Sequence, residues 1–164
     1  MAAEFTSFPA NWRGLTMHNE LWQYAGRVYA LPGVETACLE LQATGANVCL
    51  ALCALWLEHR QVRWSSAGAE TLETRARVWA EAVVNPLRAL RQGWRAEAQH
   101  DAALGSIRNE VKRLELEAEH VLLQRLEQAT AGWPTGPSAD PAWLTWAVAD
   151  VGARLALREA MAQG

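Results

Sequence analysis

No glycine-rich phosphate loop, no HExxH helix and no GxSxG elbow occurs in the 164 residues. Those motifs place a phosphate, a zinc ion or a nucleophilic serine, so the most compact signatures of catalysis are missing. A membrane-length apolar run is missing as well. The longest strongly apolar stretch, Val48 to Leu57, is about half of the ~20 residues that cross a bilayer, and it reads as a core helix. Nor is there a basic excess: the net charge is −3, which disfavours general nucleic-acid binding, since neutralising phosphates takes a positive surface. Lysine is almost absent, with Lys112 alone among fifteen basic residues. Residues Met1 to Ala10 include Glu4 and offer neither a basic start nor an unbroken apolar stretch, so no export signal is expected.

Cysteine is sparse. Cys38, Cys49 and Cys53 leave one thiol over in any disulfide scheme, and Cys49 and Cys53 lie one helical turn apart in an apolar run, as small buried side chains do. Reduced thiols suit the cytoplasm, where the chain is expected to be soluble. No CxxC knuckle accompanies them, so no metal site is expected. Glu117 and His120 form one ExxH step, whereas carboxylate-bridged di-metal bundles need two, plus two further glutamates. On the apolar periodicity of their helix both should face water. His18, His59 and His100 fall at helix ends or in connectors, with no triad geometry in prospect. No catalytic residue and no cofactor are assigned.

What is present is helical periodicity. Hydrophobic residues make up 51% of the chain, enough for one globular domain. Residues 1–17 carry Phe5, Phe8, Pro9 and Trp12 without a clear period and read as an irregular aromatic arm, leaving 18–164 as the helical domain. Asn19 is placed to cap a first helix through Tyr29, and Leu31-Pro32-Gly33 to end it. A second helix follows over 34–44. A third, 48–58, is capped by Asn47 and apolar nearly all round, which puts it at the centre of a bundle. Ser65 or Ser66 caps a fourth with the stripe Leu72, Ala76, Trp79, Val83, Leu87, Leu90 and Trp94, and Pro86 within it should kink or split the helix. Asp101 caps a long fifth helix with the stripe Leu104, Ile107, Val111, Leu114, Ala118 and Val121, followed by Leu122, Leu126 and Ala129 on nearly the same side. Asp140 and Pro141 open a last one. No alternation long enough for a strand occurs. The fold class is all-α: a single-domain bundle of about six helices, one kinked at Pro86.

The expected surplus is apolar. Leu116 and Leu123 point away from the stripe of the fifth helix. On the last helix, Leu144, Val148, Val151 and Leu155 form one face, and Trp143, Trp146, Leu157 and Met161 another. Leu116, Leu123, Trp143 and Trp146 are therefore the candidate interface, since tryptophan is favoured at contact centres. The leading expectation is a non-catalytic interaction module, an adaptor or regulator, with a protein partner or a second copy. One alternative is a carrier or sensor of a small apolar ligand held between helices, drawing on nine tryptophans. Another is an enzyme with a dispersed active site. Arg88, Arg91 and Arg95 recur at helical spacing and read as a solvated basic face.

The segments Leu21-Trp22, Leu31-Pro32-Gly33-Val34-Glu35, Ala37-Cys38-Leu39-Glu40-Leu41-Gln42, Asn47-Val48 and Trp56-Leu57 recur as a set with Trp79, Val83-Val84-Asn85-Pro86-Leu87-Arg88-Ala89-Leu90-Arg91, Val111-Lys112 and Glu115-Leu116-Glu117-Ala118-Glu119. Together they resemble a family of short, uncharacterised proteobacterial proteins known as a conserved domain of unknown function, over about residues 19 to 130. The resemblance implies a bacterial, cytoplasmic, helical protein and carries over no activity, cofactor or site residue. The Glu115–Glu119 run reads as a solvated acidic strip, with a partner-facing role as the alternative.

Overall fold

A helix without a polar side must be enclosed, and that requirement organises the architecture. The computed structural model describes residues 19–137 and 142–163; the aromatic arm and the Asp140-Pro141 helix start lie outside them. Its elements are α1 (Glu20–Tyr29), α2 (Val34–Ala43), α3 (Val48–His59), α4 (Ser66–Trp79), a π-helical segment (Ala80–Val84), α5 (Asn85–Gly93), a 3-10 turn (Glu97–Gln99), α6 (Ala102–Ala129), α7 (Ala142–Ala147) and α8 (Val151–Ala162). Every residue of α3 from Cys49 to Leu57 is buried, enclosed by α1, α2, α4, α6 and α7. The fold is all-α. Among the described residues the one extended pairing is an isolated antiparallel bridge between Val62 and Thr135.

Local chemistry starts α3, α4 and α6 as the sequence predicts. The Asn47 side chain accepts from the Leu50 N–H at 3.1 Å, Ser65 from Gly68 at 3.2 Å, and Asp101 from Ala103 and Leu104, each satisfying a first-turn donor that the helix itself leaves open. Gly33, at φ +83°, makes the left-handed turn between α1 and α2 that a side chain would resist. Gly68 serves proximity instead: a Cβ there would come within 2.8 Å of the Trp133 ring. That ring stacks on Trp143 at 5.7 Å, and the Trp143 indole donates to the Val62 carbonyl at 2.9 Å.

At α1 the N-cap position is Asn19 as predicted, but its side chain is used elsewhere. Asn19 makes no capping bond there. Its side chain lies 3.1 Å from His120 Nε2 instead, and the Leu21 N–H is met by the buried Glu127 carboxylate of α6 at 3.0 Å. Glu58 of α3 performs the same service at α7, accepting from the Leu144 N–H at 2.9 Å, and also pairs with Arg158 of α8 at 2.6 Å. Two glutamates thus join helix starts to distant elements.

Pro86 does not split its helix. The π-helical segment immediately precedes it and runs straight on into α5, with Pro86 in α5's first turn. The wider π turn absorbs the clash and the missing donor that a proline imposes on an α-helix. The continuous helix from Ser66 to Gly93 runs antiparallel to α6 and matches its 28 residues.

Two stripe assignments need correction. On α6, Val111 and Ala118 are buried as predicted, but Ile107 and Leu114 are 54% and 42% exposed. Leu122 and Leu126 are buried as predicted too, and the buried side also takes in Glu115, His120, Leu123 and Glu127. Helices α1, α3 and α4 crowd the carboxyl-terminal half of α6 from several directions, while its first turns meet chiefly α5 and the 3-10 turn. The predicted last helix is two. Asp150 accepts from the Ala153 N–H at 2.7 Å and starts α8, so Val151 and Leu155 turn outward, each 57% exposed.

Replacing Glu127 by Ala strands a buried donor. The unfolding free energy is expected to fall by roughly 1–3 kcal/mol, with most of it restored in Glu127→Gln, which keeps an acceptor; denaturant titration of both variants reads the difference.

Candidate functional site

Arg88 and Arg91 stand on one side of α5, and Glu115 and Glu119 on the facing side of α6, each pair spaced three or four residues apart so that its side chains lie side by side. Arg88 Nε donates to Glu115 Oε1 and its Nη2 to Glu119 Oε1, both at 2.8 Å. Arg91 Nε donates to the other Glu115 oxygen, and Arg108 donates to the Arg91 carbonyl at 2.8 Å. With its amide oxygen turned inward, Gln42 of α2 accepts from Arg88 Nη1 at 2.9 Å. Glu115 is buried. The expected solvated basic and acidic faces are therefore one network across the helical hairpin; Arg95 alone of the basic trio is exposed.

The two carboxylates respond oppositely. For Glu115, burial works against ionisation, but hydrogen bonds and charge from Arg91 and Arg88 prevail and hold it below the usual carboxylate range. For Glu119, burial dominates and the Glu115 charge adds to it, outweighing Arg88, so its pKa is pushed up to about 7. Burial also raises the Cys49 and Cys53 thiols, leaving them neutral and poorly nucleophilic.

Glu119 borders a cleft of about 570 Å³, within the range of small-molecule sites. One wall is the turn from Gln42 through Asn47 into α3. The other is α4, the π-helical segment and Arg88, with Glu73, Arg77 and Glu81 at the rim. A π turn lining a cleft is a frequent companion of function. The lining is charged, unlike the apolar cavity expected of a carrier.

The residues singled out by sequence are placed as follows. Leu123 and Trp143 are each 1% exposed and belong to the core, so neither presents surface to a partner in this conformation. Leu116 and Trp146 are partly buried and pack against that core. Trp143 and Trp146 meet edge to face at 6.0 Å, with Trp64 beside them. His120, expected in water, is buried and stacked on Trp22 at 4.2 Å, and burial lowers its pKa. Among the described residues no three His, Cys, Asp or Glu side chains group as metal ligands, and no helix is long and apolar enough to cross a membrane.

The uncovered apolar surface lies elsewhere. Helix α5 has no buried residue, and Leu90, Ile107 and Leu114 are the large exposed side chains of its hairpin with α6, Val78 following further along α4. Helical spacing puts Leu90 about half a turn from Arg88 on α5, and Ile107 and Leu114 about a quarter turn from Glu115 on α6. Sequence reasoning took these for core because their period is perfect.

Residues 20–126 match the model of a family described as a protein of unknown function, DUF2390. No curated protein and no solved structure matches the chain. The match takes in the whole lining of the cleft except Ala147.

The raised Glu119 pKa has a sign. Between its unfolded value near 4.5 and its folded value of about 7, the native state holds the extra proton, so this group's contribution to stability is present at low pH and is lost as pH rises through that window. Relative to Glu119→Gln, the wild type is expected to lose roughly 3 kcal/mol of unfolding free energy across it. Comparing the two proteins by denaturant titration on either side of the window checks this, and takes out the opposing contribution of His120.

Proposed function

We propose that this chain, which belongs to the DUF2390 family of proteins of unknown function, is a non-catalytic interaction module that pairs with a second copy of itself through the open edge of its helical hairpin. The observation that carries the reading is the exposure of Leu90, Ile107 and Leu114 on two helices whose other edge is closed by ion pairs. A helix as sharply two-sided as α5 that carries no fully buried residue has an apolar side left to cover.

Three features favour a second copy as the occupant. Ile107 and Leu114 are seven residues apart on one line of α6, so a two-fold axis between them sets Ile107 of one copy against Leu114 of the other. Arg113 beside that line pairs with both Glu110 and Glu117, at 3.1 and 3.2 Å, so each surface brings one net negative charge rather than two, and repulsion between the copies is reduced. Helices of 28 residues are about 42 Å long, and two side by side offer about 800 Å² per copy, the area of an ordinary specific interface. Two hairpins then close a four-helix bundle. In this reading the docking role foreseen for Leu116, Leu123, Trp143 and Trp146 passes to the exposed row; Leu123 and Trp143 belong to the core, and Leu116 and Trp146 pack against it.

Sedimentation velocity tests it. The wild type is expected to sediment as a dimer, and Ile107→Glu with Leu114→Glu as a folded monomer whose melting temperature, extrapolated to infinite dilution, is unchanged. A wild type that stays monomeric at about 100 μM, where even weak specific pairs associate, overturns the proposal.

A further inference from the structure

The cleft beside Glu119 lies on the hairpin edge away from the apolar row, and its charges do not balance. Once Glu119 is ionised, Glu73, Glu81 and Glu119 face Arg77 and Arg88 with one negative charge in excess. Both guanidinium groups are engaged: Arg77 with Glu81 at 3.5 Å, Arg88 with Glu115, Glu119 and Gln42. An incoming anion has to displace those partners and then sit beside three carboxylates. A cation meets a different surface. Glu73 takes part in no ion pair among the described residues, and Glu119 shares a single guanidinium with Glu115 and is short of positive charge.

About 570 Å³ accommodates an organic molecule. Behind the charged rim the surface is aliphatic, with Val48, Leu50, Val84 and Leu122 among its residues. We infer that this cleft is a binding site for a small organic cation: an ammonium group between Glu119 and Glu73, on an aliphatic body that lies against the apolar floor. No bond is made or broken in this role.

Proton linkage gives the site a signature. Glu119 titrates at about 7, and an ammonium ion binds its ionised form. The groups facing it are Arg88 and Arg91 of α5, Glu115 of α6, Glu73, Arg77 and Glu81 across the cleft, Cys49 of α3 and Tyr29 of α1. Glu115 is held ionised by its arginines, and burial keeps the thiol and the phenol neutral. Glu119 is the buried member of this set whose pKa is displaced to about 7.

The test uses n-hexylammonium, with hexanol and hexanoate as neutral and anionic matches, titrated into the full chain by NMR one pH unit below and one above the Glu119 midpoint. Hexylammonium is expected to shift resonances of the cleft, with about tenfold tighter binding on the alkaline side, the ratio of ionised Glu119 at the two conditions. Glu119→Gln is expected to bind about tenfold more weakly on the alkaline side and to lose the pH dependence. Glu73→Gln, a change at the solvent-exposed rim that leaves the buried network intact, is expected to weaken binding several-fold, and it carries the test if Glu119→Gln fails to fold. Hexanoate binding as tightly as hexylammonium, hexylammonium without saturation by about 20 mM, or both variants binding like the wild type overturns the proposal. The Ile107→Glu and Leu114→Glu protein keeps this site, so loss of dimerisation and loss of binding read separately.

Discussion

Helix α3 is the constraint from which the rest follows. Nine consecutive buried residues need neighbours on every side, and each neighbour has to offer an apolar stripe while keeping its remaining faces for other purposes. At about 1.5–3 kcal/mol for each large aliphatic side chain removed from water, this one element supplies a large share of the drive to fold. It also fixes where polar groups are allowed. Glu58 sits at its carboxyl end, past the enclosed stretch, and there collects a helix start and an arginine.

Much of the fold is legible in the sequence because its signals are local. Asn47, Ser65 and Asp101 cap helices by reaching two or three residues ahead, and the uniform apolarity of α3 needs no partner to be read. The misses concern groups whose partners are far away along the chain. Nothing near Leu21 shows that a carboxylate 106 residues on will meet its N–H. Nor does the spacing of α6 tell which of its sides will be covered: the line through Ile107 and Leu114 is the more regular, yet α1 and α3 settle on the side of Leu123 and His120. Periodicity identifies an apolar side but not the number of helices that arrive to cover it.

The candidate site was half visible for the same reason. The arginines at 88 and 91 and the glutamates at 115 and 119 stand out as charge patterns, each read as facing solvent. Only the antiparallel match of two long helices sets one pattern against the other, converting two solvated faces into a part-buried network. Glu119 is the carboxylate in it that shares its one guanidinium with Glu115, and the desolvation of that group is what distinguishes the cleft from an ordinary surface groove.

The π turn at Ala80–Val84 deserves a final reckoning in terms of phase. Such a turn holds one residue more than an α-turn of equal rise, so everything beyond it is rotated by about 100° relative to an uninterrupted helix. In this chain that offset aims Arg88 and Arg91 at Glu115 and leaves Leu90 on the opposite edge. The hairpin's division into a charged flank and a greasy one is therefore set by a single extra amino acid, some way upstream of the side chains it sorts.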